Sequence, residues 1–103
     1  MEKELAAWLI SKKYAVYPDQ ALEFVRALQK GECPAEMVDL VQKNLDLLME
    51  MGGSITAEKL VPFFQEKLKS AEKLINFWRE NPKDTNAVFF HRVYDKIDWE
   101  QYA

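Results

Sequence analysis

The stretch that decides the fold is PAEMVDLVQKNLDLLMEM, residues 34–51. At about 100° per residue, its apolar side chains cover an arc of roughly 200° around a single helix. These side chains are Met37, Val38, Leu40, Val41, Leu45, Leu47, Leu48, Met49 and Met51. An arc this wide contacts more than one neighbouring element. The pattern therefore predicts one central helix over residues 34–51, with Leu45 inside the core.

The opposite side of this predicted helix is narrow and acidic, and Lys43 is its one cation. Its carboxylates are those of Glu36, Asp39, Asp46 and Glu50. Such a face can bind a basic partner, or imitate the charge spacing of a nucleic-acid backbone. A solvated helix face is the plainer explanation of the same pattern. These four residues are therefore candidate partner-binding residues.

On either side of this stretch, apolar residues recur every three or four positions, which predicts helices and no strand. The first helix is predicted over residues 2–13 and the second over residues 18–30. Pro18 provides a start signal for the second helix, and Gly31 provides the left-handed position that ends it. The predicted inner side chains of these two helices are Leu5, Trp8, Leu9, Ala21, Leu22, Phe24, Val25 and Leu28.

The second half of the chain predicts two more helices. Thr56 can cap the fourth helix, but Pro62 lies too deep for its first turn and predicts a separate turn or a kink. The apolar stripe of this helix is Phe64, Leu68, Ala71, Ile75 and Trp78. Asp84 or Thr85 can cap the fifth helix. Its predicted apolar side is Val88, Phe89, Phe90, Val93, Tyr94 and Ile97.

Length and composition indicate one all-α domain spanning residues 1–103, a compact bundle or orthogonal array of four to five helices. The chain has 103 residues, 49% hydrophobic and 30% charged, with a net charge of −3. This acidity disfavours general attraction to nucleic acid or to an anionic membrane. With Cys33 as its only cysteine, no secretory signal and no apolar run of about 18 residues, the sequence predicts a cytoplasmic protein without a membrane span.

The sequence contains few candidates for catalytic residues. His91 is the only histidine, and no convincing nucleophile accompanies it. A packing role is the simpler explanation for Cys33. The chain has no Glu-x-x-His pair for a carboxylate-bridged metal site and no glycine-rich phosphate loop. We therefore predict no catalytic residue, no metal and no cofactor.

These exclusions leave binding to another protein as the leading prediction. The protein would be a subunit, an adaptor or an inhibitor of the type that phages and mobile elements encode. The doublets Phe63-Phe64, Phe77-Trp78 and Phe89-Phe90 point adjacent rings about 100° apart, so one ring of each can enter the core while its neighbour lies at the boundary. Trp99 and Tyr102 are candidates for a partner contact or for docking back on the domain. Self-association is also compatible with the sequence.

The alternative prediction is a nucleic-acid-binding or transcription-regulating domain that uses the Lys-rich fourth helix. The cations of that region are Lys59, Lys67, Lys69, Lys73, Arg79 and Lys83. Glutamates are mixed among them, which is typical of a solvated helix face. The acidic 34–51 stretch would be a poor reader of DNA.

Overall fold

The computed structural model describes residues 1–53 and 55–102; Ser54 and Ala103 lie outside the described residues. Six α-helices and a final 3-10 helix follow one another within these ranges and confirm the predicted all-α fold. They are α1 Glu2–Ser11, α2 Pro18–Gln29, α3 Ala35–Gln42, α4 Leu45–Glu50, α5 Ala57–Glu80, α6 Thr85–Asp95 and the 3-10 helix Trp99–Tyr102.

The centre of the fold is α1, and the prediction of a central helix over residues 34–51 is wrong. Five consecutive residues of α1, from Leu5 to Leu9, are buried, and the helix packs against α2, α5 and α6. Ala6 and Ala7 are fully buried, and their small side chains let neighbouring helices approach closely. A helix surrounded on several sides is apolar nearly all round, as this segment is.

The 34–51 stretch is two helices because Asn44 interrupts it. The Asn44 backbone is extended, and its side-chain oxygen accepts a hydrogen bond from the Leu47 N–H at 3.2 Å. Asparagine is among the best N-cap residues, so α4 starts here as a separate helix. Leu47 is consequently buried, whereas Leu45 is 74% exposed. The predicted burial of Leu45 is therefore wrong.

Helices α1, α2 and α4 end in the same way, with a residue of positive φ just beyond the helix. In α2, the Glu32 N–H donates to the Ala27 carbonyl at 2.8 Å while Gly31 has a φ of 78°. Gly52 occupies the equivalent position after α4, with a φ of 75°. Lys13 occupies it after α1, with a φ of 65°. Positive φ is sterically unfavourable for lysine but not for glycine.

Helix α5 is the longest helix and confirms its predicted cap and stripe. The Thr56 hydroxyl accepts a hydrogen bond from the Lys59 N–H at 3.3 Å, and all five predicted stripe residues are buried. The alternative of a separate turn before Pro62 is wrong, since α5 is continuous through this residue. Pro62 is exposed between the buried Leu60 and Phe64, whose packing holds the helix across the missing N–H.

Helix α6 buries a narrower face than its pattern predicts. Asp84 caps it by accepting from the backbone N–H groups of Asn86 and Ala87. Ala87 and Phe90 are buried against α1 and α5, but Val88 and Phe89 are exposed. The prediction that Val88 and Phe89 belong to the inner side is wrong, because six apolar residues on so short a helix exceed what its neighbours cover.

Candidate interaction surface

The three aromatic doublets divide as predicted between the core and the surface. Phe64, Trp78 and Phe90 are buried. Their chain neighbours are more exposed: Phe77 is 50% and Phe89 55% accessible, while Phe63 is partly buried beneath Lys67, whose Nζ lies 5.0 Å from its ring centroid. Phe77 and Phe89 thus present apolar surface to solvent on α5 and α6.

A small cleft between α5 and α6 collects this apolar surface, and we call it the aromatic groove. It has a volume of about 160 Å³, and Leu74, Trp78, Phe89 and Phe90 form its apolar lining. Trp78 and Phe90 stack at its base with ring centroids 5.2 Å apart. Ser11 and Lys12, at the end of α1, also line it. A cleft with an apolar lining and a polar edge suits a protruding apolar side chain.

A larger and more open cleft also lies beside the end of α1, and we call it the lysine groove. Its volume is about 590 Å³. Lys12, Lys13 and Lys43 line it together with Leu40, Asn44, Leu45 and Asp46. Lys12 lines both grooves, so the two are neighbours on one surface of the molecule. The exposed Leu45 gives the lysine groove an apolar element of its own.

The lysine groove is a local concentration of positive charge on an acidic protein. Its lining includes three lysines and one acidic residue, Asp46. Within residues 1–53 and 55–102, none of the three lysines has a carboxylate within ion-pairing distance. Some other cations have carboxylate partners: Lys67 lies 2.8 Å from Glu50, and Arg79 lies 3.1 Å from Glu4. The groove therefore concentrates positive charge that no ion pair among the described residues neutralises.

The four acidic candidates do not form the single helical face that the sequence predicts. Glu36 and Asp39 belong to α3, whereas Asp46 and Glu50 belong to α4. Glu36 accepts a hydrogen bond of 2.6 Å from the buried Gln20, and Glu50 pairs with Lys67. Two of the four carboxylates thus have partners that join elements of the fold. All four residues are exposed, and their binding to a partner stays a prediction.

The other two candidates, Trp99 and Tyr102, lie in the final 3-10 helix, which packs against α2. Trp99 is buried, and its indole N–H donates to the Tyr94 carbonyl at 3.1 Å. Tyr102 is partly buried against the core. Both side chains thus dock back on the domain, and their contact with a partner stays a prediction. Gln101 also reaches back to Asp98, with 3.1 Å between the amide nitrogen and the carboxylate.

The cations proposed for nucleic-acid binding are partly neutralised. Lys67, Lys69 and Arg79 have the carboxylate partners Glu50, Glu66 and Glu4 within the molecule. The remaining members of that set are the exposed Lys59, Lys73 and Lys83. Pairing lowers the positive potential that a phosphate backbone would meet along α5.

The two residues considered for an enzyme lie in different parts of the fold, Cys33 just before α3 and His91 within α6. Burial raises the pKa of the Cys33 thiol, which disfavours the reactive thiolate, and Cys33 Sγ contacts the Pro34 carbonyl at 3.8 Å. The His91 ring packs edge-on against Phe90, with 5.6 Å between the centroids. In the described part of the chain, no three His, Cys, Asp or Glu side chains come together as a metal site.

Comparison with known proteins gives no relative: no family model, no curated protein and no solved structure matches this chain. Over residues 1–53 and 55–102, each helix is too short or too polar to cross a bilayer.

The lysine groove was not predicted because its lining comes from two segments far apart in the sequence, residues 12–13 and residues 40–46. Lys12 and Lys13 follow α1, Lys43 follows α3, and Leu45 opens α4. The signal that could have exposed it is the pair Lys43-Asn44, two polar residues in the middle of an apolar stretch. Asparagine followed three residues later by an apolar residue is compatible with an N-cap, and a new helix there turns Leu45 outward.

Proposed function

We propose that this protein acts without enzymatic chemistry by binding another protein, as a subunit, adaptor or inhibitor, and that the aromatic groove is the contact. The observation that carries this proposal is the pairing of exposed Phe89 and Leu74 with buried Trp78 and Phe90 in one cleft. Protein interfaces are enriched in aromatic side chains that surround such small pockets.

In the isolated domain, the apolar rim of the aromatic groove is exposed to water, so covering it contributes free energy to binding. Covering a half-exposed Phe or Leu contributes about 1 kcal/mol each through apolar burial. Phe77, one helical turn beyond Leu74, extends the same side of α5. Three such side chains supply a substantial part of the affinity of a micromolar complex, for which the total is about 8 kcal/mol. Single exposed apolar residues are ordinary, but a cluster around a cleft is typical of a binding site.

The test is affinity capture from a lysate of the source cells with quantitative mass spectrometry. The bait is compared with a variant carrying Leu74→Gln and Phe89→Gln, which removes the apolar rim without touching the buried rings. We expect one or a few proteins to be retained by the original chain and to be depleted at least tenfold by the variant. Nuclease treatment should leave this retention unchanged; loss with nuclease would favour the nucleic-acid alternative.

A matched control variant carries Val16→Gln and Tyr17→Gln. These two apolar side chains are also exposed, and they line neither groove. The control should capture the same proteins as the original chain. Equal capture by the groove variant and the original chain would contradict the proposal. A third bait with Asp39→Lys and Asp46→Lys examines the two acidic candidates other than Glu50, which is ion-paired, and Glu36, which accepts a hydrogen bond from Gln20.

A further inference from the structure

The two neighbouring grooves differ in chemistry, and this difference specifies a partner. We infer that the bound segment is an acidic amphipathic stretch of another protein, with apolar side chains in the aromatic groove and carboxylates along Lys12, Lys13 and Lys43. This inference rests on the proposed function and names the chemistry of the partner. The two grooves are read as one site because Lys12 lines both of them.

Charge complementarity is the first argument for an acidic occupant. Three unpaired lysines against Asp46 leave a local charge of about +2 in the lysine groove, while the whole chain carries −3. Carboxylates placed beside these ammonium groups would gain attraction that no described residue of this chain supplies. A basic segment would be repelled at the same place.

The backbone at Lys13 is the second argument. After α2 and α4, the positive-φ position holds glycine, and a Cβ added to either glycine would meet open space. A larger side chain would therefore fit at these turns. Glycine is favoured there because it adopts positive φ without steric cost. Lys13 adopts the same conformation with a φ of 65°, which is sterically unfavourable for a residue with a Cβ. Strained backbone conformations cluster at functional sites, so the strain at Lys13 supports a role of its side chain in binding.

The apolar parts of the site favour a protein segment over a nucleic-acid duplex or a bilayer. Leu45 is 74% exposed within the lysine groove, and Phe89 is 55% exposed within the aromatic groove. The base faces of a duplex are stacked inside it, and its phosphate backbone has no apolar group to cover these side chains. A bilayer surface is flat and does not enter a cleft, and the net charge of −3 opposes approach to anionic lipid. An amphipathic peptide can satisfy both the lysines and the apolar side chains.

The experiment selects binders from a displayed library of random peptides of about 16 residues, which would span about 24 Å as a helix. The tightest peptide is synthesised with a fluorophore, and its affinity is measured by anisotropy. We expect the enriched peptides to combine aliphatic or aromatic residues with Asp and Glu. The triple variant Lys12→Glu, Lys13→Glu, Lys43→Glu should bind the peptide at least tenfold more weakly. Raising the salt from about 0.05 to 0.5 M should also weaken binding.

The control triple variant is Lys59→Glu, Lys73→Glu, Lys96→Glu, which makes the same change in net charge at exposed lysines outside both grooves. It should bind the peptide as the original chain does, within about twofold. Equal weakening by both triple variants would overturn the inference, because the effect would then belong to net charge. A selection that yields no binder would overturn it as well.

Two further arms separate this inference from the proposed function. Enriched peptides that are neutral or basic, lose binding with Leu74→Gln and Phe89→Gln, and ignore the lysine reversals would overturn the inference and leave the proposed function standing. A labelled DNA duplex, a single-stranded RNA and phosphatidylserine vesicles are measured with the same variants. Tighter binding of any of these than of the peptide, with loss in the groove triple variant, would assign the lysines to that ligand instead.

Discussion

The indole N–H of Trp99 donates a hydrogen bond to the backbone carbonyl of Tyr94 at 3.1 Å, and the two rings stack with centroids 5.5 Å apart. This contact fastens the last described turn of the chain to the end of α6. Tyr94 in turn reaches α1, where its hydroxyl lies 3.5 Å from a carboxylate oxygen of Glu4. The C-terminal turn is therefore part of the folded body.

Trp99→Ala should lower the free energy of unfolding by about 3 to 5 kcal/mol, as expected for a buried Trp truncated to Ala. Trp99→Phe keeps an aromatic ring in place but removes the donor, and it should cost less than the alanine variant. Urea denaturation followed by circular dichroism measures both. An alanine variant as stable as the original chain would show that Trp99 serves a partner contact and not the core.

Leu45 and Leu47 lie two residues apart in α4 and should respond oppositely to charge. Leu45→Asp should change the free energy of unfolding by less than about 0.5 kcal/mol, because this side chain is in water. Leu47→Asp places an unpaired carboxylate in the core and should cost several kcal/mol of a total near 5 to 15. Thermal denaturation of the two variants decides the question. A destabilised Leu45→Asp would restore the single-helix interpretation.

Lys13→Gly should stabilise the domain by about 0.5 to 1 kcal/mol, since it relieves the positive φ at the end of α1. Lys13→Ala is the control: it removes the charge but keeps the strain, and it should give no gain. Gly31→Ala, where a new Cβ meets nothing within 4 Å, should cost a similar amount in the opposite direction. Chemical denaturation measures all three. A loss of stability in Lys13→Gly would mean that the Lys13 side chain supports the fold.

Alkaline pH should destabilise the protein partly through Tyr14. Burial raises the pKa of Tyr14 above its ordinary value of 10.0, Lys67 lowers it and Glu50 raises it. Because the folded pKa exceeds the unfolded one, the stabilisation is complete below about pH 10 and is lost as the pH rises through the folded pKa. Tyr14→Phe should therefore lose less stability than the original chain above pH 10.

The control for this titration is Tyr17→Phe, at an exposed tyrosine. It should follow the original chain across the whole range. Urea denaturation at intervals between about pH 8 and 11.5 gives the comparison. The Tyr14 assignment would be wrong if both phenylalanine variants lost stability as steeply as the original chain.

Most of the fold was predictable where a local signal delimits a helix. Pro18 and Gly31 bound α2 closely, Thr56 caps α5, and the spacing of Phe64, Leu68 and Ala71 identifies a buried stripe. These signals act within one turn of the chain, so the sequence carries them directly. The predicted core of the first two helices is correct for the same reason.

The wrong predictions have one physical cause. The spacing of apolar residues shows which face of a helix is apolar, but not whether a neighbouring element covers that face. The apolar residues of the 34–51 stretch fit one helix with a wide arc or two helices with different faces, and the Asn44 cap selects the second. Likewise, α6 carries more apolar surface than α1 and α5 cover, so Phe89 is left outside. The aromatic groove and the lysine groove both arise from such tertiary outcomes, and neither was predictable from spacing alone.

The shortness of α4 has a consequence for how binding would be detected. Helix α4 has six residues and buries Leu47, so few contacts oppose its local opening. Its backbone amides should therefore exchange with solvent long before the domain unfolds globally. Leu45 lines the lysine groove from this same helix. A segment seated there would keep α4 closed. Slower deuterium uptake across Leu45–Glu50, more than a change in melting temperature, would be the first sign of an occupied groove.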